Sequence, residues 1–273
     1  MRSKLVSSPR SDLVSIGISP WVKPILFGLA IGLQTFAGAA NAQSQHVNNG
    51  TDPTQMVSKF ISTYEHLDLK GGLGNDTLKF EYTLSLPNNV ALGVKLPVTR
   101  LTGSGAGEHF DIGDASLTVA KVFGLSKQGG NVLVGEMIFD TAKRPELGAG
   151  HTSIKATYVR AIFLPTGNIL APSIVHQISI AGRKSRPDVN KSTFDLYFVP
   201  KLNDSNNLVT FDPSLVSDWE ADKQYGALAI TFGRIIGKVH GGNAIVSVKP
   251  TVFFGGDRPG DWGLEVGWKL IGF

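Results

Sequence analysis

The stretch LKFEYTLSLPNNVALGVKLPV, residues 78–98, separates into two interleaved sets of side chains. Leu78, Phe80, Tyr82, Leu84 and Leu86 are apolar, with Lys79, Glu81, Thr83 and Ser85 between them. After Pro87-Asn88-Asn89 the alternation resumes: Val90, Leu92, Val94, Leu96 and Val98 are set against Ala91, Gly93, Lys95, Pro97 and Thr99. Successive side chains of a strand point to opposite faces, so each half has one greasy face and one polar face. The short interruption predicts an antiparallel hairpin. Ionisable groups in mid-strand on one face, and a row of large apolar residues on the other, suit a barrel wall with lipid outside and a wet lumen inside. A half-exposed strand of a soluble β-sandwich fits this hairpin equally well. The surrounding chain separates the two.

Outward from the hairpin, strand-like runs follow one another to the last residue. They fall at 55–66, 76–86, 89–100, 112–123, 131–140, 152–164, 168–180, 192–201, 207–217, 225–236, 243–254 and 262–273. Connectors after odd-numbered runs tend to be long and rich in Gly and charge, as at 69–75, 102–111, 141–151, 181–191 and 255–261. Those after even-numbered runs are mostly short: 87–89, 165–167 and 203–206, with 124–130 and 237–242 longer than ideal turns. Bacterial outer-membrane barrels have long outer loops and short periplasmic turns. The expected fold is therefore all-β, a transmembrane antiparallel β-barrel of about 12 strands with both ends in the periplasm. The chain stops on Phe273, as outer-membrane barrels commonly do. That Phe is out of phase with the apolar row Leu264, Val266, Trp268 and Leu270, which predicts a bulge near Ile271.

Residues 1–42 read as a cleaved export signal. Arg2, Lys4, Arg10 and Lys23 precede or flank the apolar run 25–36, which is too short for a spanning helix of about 20 residues. Ala40-Asn41-Ala42 supplies the small-x-small cleavage pattern. Residues 43–54, polar and containing Asn48-Asn49-Gly50, are expected to form a flexible periplasmic tail, with the barrel at 55–273. The absence of Cys removes disulfide and thiolate-metal chemistry, and excludes a lipidated N-terminus at the cut. The leader holds four of the 26 basic residues and one of the 22 acidic ones. The mature chain thus has 22 basic against 21 acidic residues, which removes the main support for nucleic-acid binding.

Several short strings resemble the outer-membrane barrels of the meta-pathway phenol-degradation family, often called simply transporters. They are Ile112-Gly113-Asp114, Leu147-Gly148-Ala149-Gly150, Asp188-Val189-Asn190, Trp219-Glu220-Ala221 and Trp262-Gly263-Leu264. Each is short, but their order and spacing run over most of 55–273. The resemblance implies an outer-membrane barrel, encoded in some organisms near aromatic-degradation genes, that passes or handles small hydrophobic solutes. It fixes no substrate.

Catalysis has weak candidates. Of six histidines, only His176 falls within an expected strand. His151-Thr152-Ser153 puts a His and a Ser on one face of a strand start, a spacing similar to that of outer-membrane lipid deacylases, with no third partner nearby. The His then Ser-Asn-Gly string of outer-membrane phospholipases is absent, as is H-x-x-x-H metal spacing, and no cofactor is expected. Gly103-Ser104-Gly105-Ala106-Gly107 lacks the Lys-Ser/Thr and helix of a phosphate-binding turn and reads as an outer loop. Arg183-Lys184-Ser185-Arg186 is a loop cluster able to contact lipopolysaccharide phosphates, or simply a solvated loop.

Charges on the polar strand faces carry more. Lys79, Glu81, Lys95, Glu136, Lys155, Asp195, Asp212, Lys249 and Glu265 fall on faces assigned inward, because a Lys or Arg facing lipid at mid-depth costs about 2–4 kcal/mol. They are expected to line a narrow wet path or to pair across a closed interior. Twelve strands lie between side-chain-filled barrels and aqueous porins. The sequence thus supports a non-enzymatic outer-membrane, porin-like channel or transporter for small hydrophobic or aromatic compounds, delivered by the barrel-assembly machinery and surrounded by lipid and lipopolysaccharide. A lipid hydrolase built on His151 and Ser153, and a closed structural or adhesive barrel, remain the alternatives.

Overall fold

The computed structural model describes residues 49–103 and 109–273. The export signal, residues 43–48 of the tail and residues 104–107 of the glycine-rich loop lie outside the described residues. One antiparallel sheet closes on itself. Its strands are β1 (Lys59–Leu69), β2 (Leu73–Leu86), β3 (Val90–Thr102), β4 (Asp111–Ile112), β5 (Ser116–Ser126), β6 (Gly129–Ile138), β7 (His151–Phe163), β8 (Ile169–Gly182), β9 (Asn190–Val199), β10 (Asn207–Asp218), β11 (Lys223–Val239), β12 (Gly242–Phe254) and β13 (Gly260–Ile271). The two-residue β4 pairs with β3 alone, so the wall is a closed 12-strand barrel. The first and last strands seal it, in register from Lys59 against Ile271 to Leu69 against Gly260.

The β2–β3 hairpin has the register its alternation demands, with Leu78 opposite Val98 and Glu81 opposite Lys95. Asn88 and Asn89 both take positive φ in the turn, a conformation Asn tolerates better than most residues. Phe80, Tyr82, Leu84, Leu92, Val94 and Leu96 are exposed on the outer face, where lipid rather than protein covers them. The same exposed row continues through Leu117 and Val119, Leu133 and Met137, Ile174 and Ile178, and Val246 and Val248.

Several connectors differ from expectation. Residues 124–130 and 237–242 are mostly strand: β5 runs to Ser126 and β11 to Val239, each carrying a bulge, with two-residue turns after them. An extra residue in one strand breaks the alternation and disguises strand as loop. On the opposite end, β1 and β2 extend until a three-residue turn joins them, so 69–75 is not a long loop. The phase of Phe273 is reset beyond the last strand rather than by a bulge. Ile271 is buried inside, Gly272 adopts φ 77°, and Phe273 swings outward to lie 6.4 Å from the Tyr82 ring.

Residues 49–58 are not a free tail. Thr51, Asp52 and Thr54 are buried, and Asp52 Oδ1 accepts bonds from the Thr54 amide (2.8 Å) and hydroxyl (2.7 Å). Ser85 Oγ donates to the Met56 carbonyl at 2.6 Å, and Val57 packs on the buried Leu208, Ile245 and Ile271. The reason is volume. Near the turns the inward positions include Ala91, Ala161, Ala171 and Ala244, which leave room for a segment of chain. The first strand accordingly starts at Lys59 instead of 55.

One polar cluster sits among the outward positions at the loop end of β1–β3. Buried Asp76 accepts from Tyr64 Oη (2.9 Å) and Arg100 Nε (2.8 Å) and pairs with His66 Nδ1 (2.7 Å). Trp262 lies against His66, and Arg100 over Phe110, so the charges are jacketed by an aromatic rim suited to the membrane–water boundary.

The outer face should be intolerant of charge. Val94, between Tyr82 and Leu117 in register, is the position to test. Val94→Arg should lower the unfolding free energy in lipid vesicles by about 2–4 kcal/mol, while Val94→Ala costs far less. Urea unfolding followed by gel mobility measures the difference.

Candidate functional site: a belt of charges inside the barrel

Strand alternation that sends apolar side chains outward turns the intervening residues inward. Lys79, Glu81, Lys95, Lys155, Asp195, Asp212, Lys249 and Glu265 are half-buried between exposed neighbours, and Glu136 is buried. All but Glu136, which lies near the end of β6, sit well inside their strands. Glu136 is the most engaged: Lys95 Nζ approaches Oε1 at 3.0 Å, Lys155 Nζ contacts Oε2, and Ser116 Oγ donates to Oε1 at 2.6 Å. Lys249 pairs with Glu265 at 3.2 Å, and Lys79 lies 4.0 Å from Glu65. Glu81 has no ion pair at this range among the described residues, and sits within electrostatic reach of Lys59 and Lys269. Asp195 takes a 3.0 Å bond from Ser173 Oγ. Asp212 is near Asp195 and Lys249 without touching a basic group among the described residues.

The belt includes residues that the alternation did not single out. Lys59, Glu65 and Lys269 share it. In β1, apolar residues occur at both parities (Phe60, Ile61, Tyr64, Leu67), which hides the inward set. Lys269 could have been found, since it stands four residues from Glu265 on the same face. Beside Lys79, Lys95, Glu136 and Lys155 the interior opens into a chamber of about 240 Å³. Residues 139–150, the loop that follows β6, contain a 3-10 turn, Pro145–Leu147. Asp114 holds that loop: Oδ1 accepts from the Thr141 and Ala142 amides (3.2 and 3.1 Å), and Oδ2 from the Ala149 amide (2.8 Å). A side chain at Gly148 would collide with the Asp114 carboxylate at 2.6 Å. The strings Ile112-Gly113-Asp114 and Leu147-Gly148-Ala149-Gly150 are thus two halves of one contact.

His151 Nδ1 lies 3.6 Å from Asp188 Oδ1, and His151 and Ser153 hold separate partners. Both are buried; Ser153 Oγ accepts from Gln177 Nε2 at 2.8 Å, whereas His151 Nε2 lies 3.2 Å from the Arg186 carbonyl. His66, His151 and His176 belong to strands. His176 bonds Ser192 Oγ at 3.0 Å on the outer face. In the basic loop, Arg183 pairs with Asp140 (3.3 Å) and Arg186 Nη2 donates to the Gly148 carbonyl (2.9 Å), so both brace the loop below, while Lys184 is exposed. Among the described residues no group of three metal-ligating side chains occurs.

The sequence matches no protein family profile and no curated protein. Solved structures share its fold. A crystal structure of an outer membrane channel from Pseudomonas putida F1 superposes with a TM-score of 0.62 at 10% identity, covering 82% of this chain and 98% of that one. The NanC porin gives 0.55 at 9% identity, over 79% and 98%. At such identities the likeness is one of fold, and the fold is that of outer-membrane barrels.

The Asp114 contact predicts a loop that can be released. Asn at this position retains one carbonyl acceptor and presents an NH2 group to amides that need an acceptor. A hydrogen bond to a charged group is worth about 1.5–3 kcal/mol. Asp114→Asn should therefore speed tryptic cleavage after Lys143 in the folded barrel, with little change at Lys70.

Proposed function

We propose that the protein is a channel or transporter of the Gram-negative outer membrane, passing small solutes through the barrel interior. The observation that carries this reading is the belt. Twelve half-buried or buried charges, several of them paired, are a costly way to fill a core, because each ion must be desolvated and then compensated. A wet path reduces that cost. The substrate class we favour is small hydrophobic or aromatic compounds, on the resemblance to the meta-pathway phenol-degradation family. Export by the leader, and insertion guided by the Phe273-terminated strand through the barrel-assembly machinery, complete the reading. In this reading lipopolysaccharide phosphate meets the basic loop at Lys184, and the exposure of that side chain supports the assignment.

A closed structural barrel is the second reading, supported by the packing of residues 49–58 inside the turn end. The hydrolase reading loses its site, since His151 and Ser153 face separate partners.

Planar-bilayer recording of the purified barrel, with liposome uptake of small solutes, separates channel from closed barrel. A channel gives discrete conductance steps. Replacing Lys79 and Lys95 by Gln together should shift its ion selectivity toward cations, because charges across confined water are weakly screened. Folded protein with neither conductance nor uptake rules the channel out.

A further inference from the structure

The belt charges are unevenly distributed around the ring. In the closed order of strands, β9 lies six strands from β2 in either direction, and β10 six from β3. Asp195 on β9 and Asp212 on β10 therefore sit across the lumen from Lys79 and Lys95. On the arc from β13 through β2 and β3 to β7, Lys59, Lys79, Lys95, Lys155 and Lys269 outnumber the four glutamates of the belt, while Lys249 on β12 lies between Glu265 and Asp212. Three of these glutamates have lysine partners: Glu136 two, Glu265 Lys249, and Glu65 Lys79. Asp114, inside this arc and lining the same chamber, is occupied by three backbone N–H groups. On the far wall, Asp195 has only a hydroxyl partner and Asp212 no direct ion pair among the described residues. Buried Asp52, from the segment lodged in the turn end, approaches the same wall next to Tyr197.

From this placement we infer that the lumen is polarised across its width and selects small zwitterions, with the ammonium end toward Asp195 and Asp212 and the carboxylate end toward the Lys79 and Lys95 side. The inference rests on the channel reading alone and departs from the hydrophobic class that the family resemblance implies: it assigns the path solutes carrying both an amine and an acid on a small body. The physical basis is field focusing: opposed charges on low-dielectric walls produce a transverse field that water in a narrow chamber screens poorly. A solute with a permanent dipole lowers its energy by lying across that field. A neutral solute of equal size gains less, and a simple ion is attracted to one wall only.

Glycine and glycolamide are isomers that differ in this respect, and both suit liposome swelling with protein-free liposomes as the blank. Glycine should enter several-fold faster than glycolamide through the wild-type barrel. Replacing Asp195 and Asp212 by Asn together should bring the ratio to unity and move the reversal potential in a potassium chloride gradient toward chloride. Heat-modifiable gel mobility confirms that the variant is folded. Equal entry of the isomers in wild type overturns the inference while upholding the channel. A glycine advantage that survives the double substitution also overturns it. Entry of neither solute, with no conductance, overturns both.

Discussion

The structure depends on one constraint: no backbone N–H or C=O can be left unpaired where water is absent. A sheet satisfies it only by having no edge, so β1 must find β13 across the whole length of the chain. That seam brings Lys59, the start of the wall, beside Ile271, the end of it. Both termini of the barrel thus lie at the turn end, and the segment before β1 enters the interior there. Gly272 then bends the chain at φ 77° so that its last side chain reaches the outer surface. Closure, the internal segment and the outward Phe273 are consequences of a single ring.

Ring closure also converts a polar strand face into an enclosed surface. A lone charge there is expensive, and a pair recovers its desolvation only with good geometry and further hydrogen bonds. Glu136 meets that demand with two lysines from β3 and β7 and a serine from β5. It ties together four adjacent strands where β3 and β5 share only six paired positions, Val90 to Lys95. Beyond Lys95 the β5 partner gives way to β4 and the clamped loop, so Asp114 continues by side-chain-to-backbone bonds what the sheet no longer supplies. Interior charge thus serves the wall itself.

Sequence alone determined the wall. Period-two alternation, a leader-like start and the rhythm of turns specify twelve antiparallel strands and which side of each meets lipid, because a one-residue slip would turn every charge outward. The hairpin at 78–98 carried this most clearly, since all its large apolar side chains share one parity. What blurred the reading were positions where the local rule fails: bulges in β5 and β11, and β1 with apolar residues at both parities.

Only the tertiary structure decided the interior. Which inward charges meet depends on the order of strands around the ring and on their stagger, and neither is encoded in any one strand. Lys155 and Lys95 converge on Glu136 from strands far apart in sequence, while His151 and Ser153, two residues apart, turn to different partners. The role of residues 49–58 was hidden for the same reason. A polar segment rich in Asn and Gly reads as a tail until the alanines of several distant strands are seen to leave a space for it.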